Sequence, residues 1–186
     1  MPRPRTFDEA AVIDAAVAAF WQGGLHATSV DELLRATGLA RSSLYNSFGS
    51  RDELVRLAIE RYVDRQIAQL ERAFQGQRLD VALEAIFIDI ARDNHDGKGC
   101  LLINGVNELH DPQADALATI RRGFARVATR LTALVAAARP DAQDPSLIAA
   151  EVITAIAGLR TLQRTGLPSA TVRETARRFA KRIAQG

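Results

Sequence analysis

Between Ala40 and Ser47 the chain carries Arg41, Ser42, Ser43, Tyr45, Asn46 and Ser47 around a single aliphatic residue, Leu44. Short donors and acceptors beside one guanidinium suit the edges of bases in a DNA groove, where hydroxyls, amides and arginine pair with groups the bases expose. Thr28 and Ser29 stand at an expected helix start, where hydroxyls and free backbone N–H groups can receive an anion. Arg51 opens another expected helix, and Arg3 and Arg5 lie in a proline-spaced arm. Each of these could reach a phosphate or, for the arm, a minor groove. A second place that could do chemistry is Lys98-Gly99-Cys100, a lone thiol two residues after one of only two lysines and just before an expected helix. A nearby cation and a helix N-terminus both favour a thiolate.

These residues need helices to position them, and helix signals run from end to end. Thr6 and Glu9 have the spacing of a capping box. The helix after them puts Ala10, Ile13, Val17 and Phe20 on one face and stops at Gly23-Gly24. Thr28 is expected to cap a second helix, with Val30, Leu33 and Leu34 apolar and Gly38 at its end. A short third helix spans about 40–47, with Leu39, Leu44 and Phe48 as its anchors. Two short helices joined by a turn at Gly38 make a helix-turn-helix. Ser50 and Glu53 form another capping box and start a long helix to about Phe74, closed by Gly76.

The second half reads as a helical bundle. Leu79, Leu83, Ile86, Phe87 and Ile90 recur at helical spacing. Asp96-Gly97-Lys98-Gly99 breaks the pattern before a short helix to about Leu109. Asp111-Pro112 and Asp144-Pro145 each set a capping Asp before a proline at the first helical position. The helix after Asp144 is apolar on most faces and small at Ala157-Gly158, so it must be covered on all sides. These patterns predict an all-α fold of about nine helices: an N-terminal three-helix helix-turn-helix domain over residues 1–48 and a C-terminal helical bundle over 49–186. A helix at about 50–75 links the two. Val152, Ile156, Leu159, Val172, Phe179 and Ile183, on the last two helices, are the expected dimer interface.

Composition supports this reading. Of 186 residues, 47% are hydrophobic and 25% charged, and 33 are alanine, the strongest helix former. The longest unbroken apolar run, Ala15 to Trp21, is seven residues, against about 20 for a membrane span. The first ten residues have no apolar core for a signal peptide. A single cysteine excludes an intramolecular disulfide framework and a multi-cysteine zinc site. A cytoplasmic protein is expected, with no membrane contact. Charge is uneven: residues 1–65 carry net −1, 66–120 net −5 and 121–186 net +8. A reading domain of net −1 is compatible with DNA when its acids sit at helix starts and its arginines at the face presented.

Here the sequence resembles a known family. The arm, Thr28-Ser29-Val30, Gly38, Ser43-Leu44-Tyr45, Phe48 and Arg51-Asp52-Glu53-Leu54 look like the DNA-binding domain of TetR-family transcriptional regulators, over about residues 5–62. The resemblance implies an all-helical homodimer on operator DNA, a variable C-terminal ligand domain and a four-helix interface from the last two long helices. By position it makes Tyr45 and Arg51 phosphate contacts and Arg41 to Asn46 the base-reading helix. Ser47 departs from it, since many members have His or Tyr there. Together with the residue reading, the expected DNA-binding set is Arg3, Arg5, Thr28, Ser29, Ala40, Arg41, Ser42, Ser43, Tyr45, Asn46, Ser47 and Arg51. The segment Gly99-Cys100-Leu101-Leu102-Ile103-Asn104 resembles a branch of these regulators, some of which sense electrophiles or oxidants through a cysteine at the matching position.

The resulting expectation is a homodimeric repressor on a palindromic operator, responsive to a small molecule or an electrophile, with no cofactor, metal or catalytic activity. Cys100, with Lys98, is either that sensor or a small packing residue. His95 and His110 invite a Cys–His hydrolase, but no oxyanion motif or orienting group accompanies them. The pairs His95-Asp96 and His110-Asp111 lack the spacing of metal ligands on a helix. The alternative from another class is a small-molecule-binding or catalytic helical protein whose helix-turn-helix only packs.

Overall fold

The computed structural model describes residues 7–92, 98–109 and 115–185. Among the described residues there are nine helices and no strand. Contacts divide the chain into two compact units, one of residues 1–63 with 101–123 and the other of residues 64–100 with 124–186.

The first unit begins with α1 (Glu9–Gly23), which buries Val12, Ala16, Val17 and Phe20. Its N-cap is Asp8, whose carboxylate accepts the Ala10 N–H at 2.9 Å. Asp8 thus takes the capping place expected of Thr6, which lies outside the described residues. α2 (Val30–Thr37) starts one residue later than its expected cap: Ser29 and Glu32 form the reciprocal box. α3 (Arg41–Phe48) buries Leu44 and Phe48 and has Ala40 at its N-cap without a side-chain bond. α4 (Arg51–Phe74) starts behind Ser50, whose Oγ accepts the Glu53 N–H at 3.0 Å. The Glu53 carboxylate turns forward to Arg56 rather than back, so this box is one-sided.

α6 (Leu101–Glu108) belongs to the same unit, as does the first part of α7 (Asp115–Ala138), with Leu117 and Ile120 buried. α6 lies against the rest of the unit by way of a glycine. A Cβ on Gly105 would meet Leu25 Cδ1 at 2.6 Å and Ile120 Cδ1 at 2.7 Å. Both of those side chains are fully buried, so neither has room to yield.

The second unit is built on α5 (Leu79–Arg92), which packs against α8 (Pro145–Gln163) and α9 (Ser169–Gln185). Leu79, Leu83, Phe87 and Ile90 form its stripe, and Phe87 is completely enclosed. Full burial of such side chains contributes about 1.5–3 kcal/mol each. Asp144 caps α8 through the Ser146 and Leu147 N–H groups, with Pro145 first in the helix. The Ser146 hydroxyl on Asp144, then the Leu147 N–H, hold that carboxyl below its usual range.

Four of the six residues expected at a dimer interface are corrected here. Val152, Leu159, Val172 and Ile183 are buried inside the protomer, in the core α5 shares with α8 and α9. A helix buries whatever stripe its own protomer covers first, and these residues share that stripe. Ile156 and Phe179 stay half-exposed. The outer side of α8 instead shows Leu147, Ala150, Glu151, Thr154, Gly158 and Thr161. By length and composition alone α8 is also apolar enough to cross a membrane, a criterion that the core helix of a soluble protein meets as well.

Candidate nucleic-acid interface

α3 is short and amphipathic. Leu44 and Phe48 face the core, and Arg41, Ser42, Tyr45 and Asn46 are exposed together on the opposite side. Ser43 and Ser47 are half-buried at its flanks, and Ala40 is exposed at its start. Tyr45 is 41% exposed, unusual for a ring with a core within reach. Gly38, at φ +70°, makes the left-handed turn from α2 into α3 that a residue with a Cβ rarely adopts. Phe7, at the root of the N-terminal arm, lies with its ring 6.3 Å from that of Phe48. Arg3 and Arg5 lie outside the described residues.

One arginine on this face has a partner. Arg41 Nη2 is 2.5 Å from Asp31 Oδ1, across from the first turn of α2. Asp31 is not needed for the cap, because Glu32 serves it: the Glu32 carboxylate accepts both the Ser29 N–H and the Ser29 hydroxyl at 2.7 Å. The Ser29 backbone bond first, and the hydroxyl bond second, hold the Glu32 carboxyl below its ordinary value.

Two expected phosphate contacts are corrected. Thr28 is 3% exposed, and its hydroxyl donates to the Gly24 carbonyl at 2.7 Å, so it locks the turn and is not presented outward. The Arg51 side chain is only 25% exposed. Its guanidinium donates to the carbonyls of Thr28 at 2.9 Å, His26 at 3.3 Å and Leu25, and lies 5.6 Å above the Phe20 ring. A guanidinium holding three carbonyls over an aromatic face is committed to positioning the loop. Sequence spacing placed both residues at helix starts. It could not show that the turn between α1 and α2 folds back over them.

The amides of the same turn are also held. Glu108 Oε2, at the end of α6, accepts the Leu25 N–H at 2.7 Å and the His26 N–H at 3.3 Å. Nothing near Glu108 in sequence signals this, since its partners lie 82 and 83 residues away.

In the second unit Cys100 is half-buried and stands just before the first residue of α6. Lys98 is half-buried two residues earlier. A cavity of about 310 Å³ opens between α4, α5 and α8, lined by Gln66, Gln69, Ile86, Asp89, Ile90 and Arg160 among others. His95, Asp96, His110 and Asp111 lie outside the described residues. Among the described residues no group of three His, Cys, Asp or Glu could hold a metal.

A two-helix reading head inside an all-helical chain defines a helix-turn-helix protein. Residues 12–58 match the model for bacterial regulatory proteins of the tetR family, and the N-terminal domain of this chain is a tetR-family domain. The chain is 33% identical to the HTH-type transcriptional repressor ComR of Escherichia coli over 124 residues, which are 64% of this chain and 59% of ComR. It is also 33% identical to YezE of Bacillus subtilis, an uncharacterized HTH-type transcriptional regulator, over 61% of each chain. The match thus spans about six tenths of the length of these curated relatives. In fold the likeness covers nearly the whole chain. The TetR family transcriptional regulator CifR, a cysteine mutant complexed with 26 bp operator DNA, superimposes with a TM-score of 0.82 at 18% identity, over 96% of this chain and 98% of that one.

Proposed function

We propose that this protein is a transcriptional regulator that binds a palindromic DNA operator as a homodimer and acts as a repressor in the cytoplasm. The observation that carries this reading is the outward face of α3, where Arg41, Ser42, Tyr45 and Asn46 stand exposed on a helix whose other side is core. Such a helix enters the major groove, with hydroxyls and amide reading base edges and Tyr45 meeting the backbone. Ser29, with the N–H groups at the start of α2, offers a phosphate seat. Arg3 and Arg5 extend the contact from the arm. The name of ComR as a repressor supports the sign of regulation, and the operator DNA of the CifR complex supports the partner.

The dimer is assigned to the outer faces of α8 and α9. They flank a groove of about 1010 Å³ lined by Leu147, Thr154, Gly158, Phe179 and Arg182 among others. Two copies would set their reading helices about 34–36 Å apart.

The test is binding to duplexes selected from a random pool and to the DNA upstream of the protein's own gene, across a salt titration. The expected result is tight binding to a palindrome that weakens steeply with salt. No binding to either DNA at any salt overturns the reading in favour of a helical protein whose helix-turn-helix only packs.

The signal is assigned to Cys100, half-buried at the edge of α6, with Lys98 beside it in sequence. CifR, a regulator of the same fold, is the cysteine mutant named above. Alkylation of Cys100 with iodoacetamide is expected to release the operator, and Cys100→Ser to bind whether treated or not. Unchanged affinity after complete alkylation returns Cys100 to packing. The cavity between α4, α5 and α8 is then the seat of a non-covalent effector.

A further inference from the structure

The turn from Gly24 to Thr28 is held from both sides by opposite charges. Arg51 takes its carbonyls, at Leu25, His26 and Thr28. Glu108 takes its amides, at Leu25 and His26. A charged partner makes each bond stronger than a neutral one. The backbone groups of an irregular turn have no helix or sheet to pair with, so these two side chains supply what secondary structure would have supplied.

Two glycines make room for the arrangement. Gly24, at φ +91°, would set a Cβ 2.8 Å from Glu108 Oε2 and 3.1 Å from its carboxyl carbon. Gly105, one turn before Glu108 on the same helix, lets α6 approach Leu25. Helix approach, turn conformation and carboxylate position thus fit one another at three separate points. The turn ends at Ser29, the N-cap of α2 and the proposed phosphate seat, and the same first turn of α2 carries Asp31, the partner of Arg41.

We infer that Glu108 is a positioning residue for DNA binding: its carboxylate fixes the turn that aims the start of α2 at the DNA backbone. α6 is on this view a working part of the reading head, although it lies outside residues 12–58 that the family model matches. The inference rests on the DNA-binding reading proposed above. Because Glu108 holds the backbone of the turn that leads to the phosphate seat, its loss should weaken all duplexes alike.

The experiment pairs amide hydrogen exchange with DNA binding in wild type, Glu108→Gln and Glu108→Ala, on full-length protein with the melting temperature recorded. In Glu108→Ala the Leu25 and His26 amides are expected to exchange at least tenfold faster. Affinity should fall about tenfold on both a pool-selected duplex and a random duplex, with their ratio unchanged. Glu108→Gln keeps one carbonyl acceptor and should lie between the two. A structural role alone would lower the melting temperature and leave the affinity of the folded protein within twofold of wild type. That result overturns the inference, as does unchanged exchange at Leu25 and His26. A change in the ratio between duplexes overturns it too, since base reading would then be involved. Wild type that binds no duplex overturns the DNA-binding reading, and this inference falls with it.

Discussion

Arg41 and Asp31 pose a question at the scale of single residues. A carboxylate on a surface proposed to meet a polyanion is repulsive, yet Asp31 is exposed there and holds Arg41. An exposed pair of this kind contributes at most about 1 kcal/mol to stability. Its consequence lies in where the guanidinium is before DNA arrives: tied to Asp31, it is less available to an arbitrary phosphate. Asp31→Asn is therefore expected to raise affinity for random duplex more than for the selected one, and to steepen the salt slope by about one contact. Equal gains on both duplexes would show that Asp31 acts only as a bulk charge. Arg41→Ala should in turn weaken the selected duplex by about 1–3 kcal/mol and relax preference at one position. An unchanged preference would take Arg41 out of the reading set. At this scale the sequence revealed residue type and helix face, which is why Arg41, Tyr45 and Asn46 are found outward. It did not reveal long-range engagement. Thr28 and Arg51 carry the right chemistry for a phosphate, but the turn after α1 claims both, Thr28 from within it and Arg51 from 23 to 26 residues further on.

At the scale of elements, capping decides where helices start: the sequence placed the starts of α2, α3 and α4 to within a residue, whereas α1 is capped by Asp8, two residues beyond the expected Thr6. The residual error at α2 has a physical origin: Thr28 and Ser29 are both good caps, and only the fold shows that Thr28 is turned inward. Ser29→Ala should cost about 1 kcal/mol. Its partner brings a pH dependence. The carboxyl of Glu32 is held below its ordinary value of 4.5 by the Ser29 bonds, so it stabilises the folded state above that pH. The stabilisation is lost as pH falls through the lowered folded value. Melting curves from pH 6 to pH 2 should show a shallower acid decline in Glu32→Gln than in wild type. Parallel curves would mean that the box does not persist in solution. α6 was readable as a short helix, but its place was not. Gly105→Ala tests that place, since a methyl there meets two buried side chains. Overpacking should destabilise by about 1–3 kcal/mol, and a neutral or stabilising result would mean that α6 stands further from Leu25.

At the scale of the whole molecule, the apolar character of α8 was legible in its composition, whereas the division of its residues between core and outer face was not. Ile148, Val152, Ala155 and Leu159 serve the protomer, so an interface must use what remains: Leu147, Thr154 and Gly158, with Phe179 and Ile156 at the margins. Gly158 separates the two roles. It is exposed, and a Cβ there meets nothing within 4 Å in the protomer. Glycine inside a helix is also about 1 kcal/mol worse than a residue such as arginine. Gly158→Arg should therefore leave the protomer as stable as before, or slightly more so, while placing a charge in the middle of an apolar contact where it has no assigned partner. Sedimentation should give one chain where wild type gives two, and affinity for a two-half-site duplex should drop by at least about a hundredfold as the second contact ceases to be intramolecular. Affinity for a single half-site should stay as in wild type, because α3 is untouched. A Gly158→Arg protein that still sediments as a dimer would exclude the outer face of α8 as the contact, and with it the spacing of the reading heads that a palindromic operator requires.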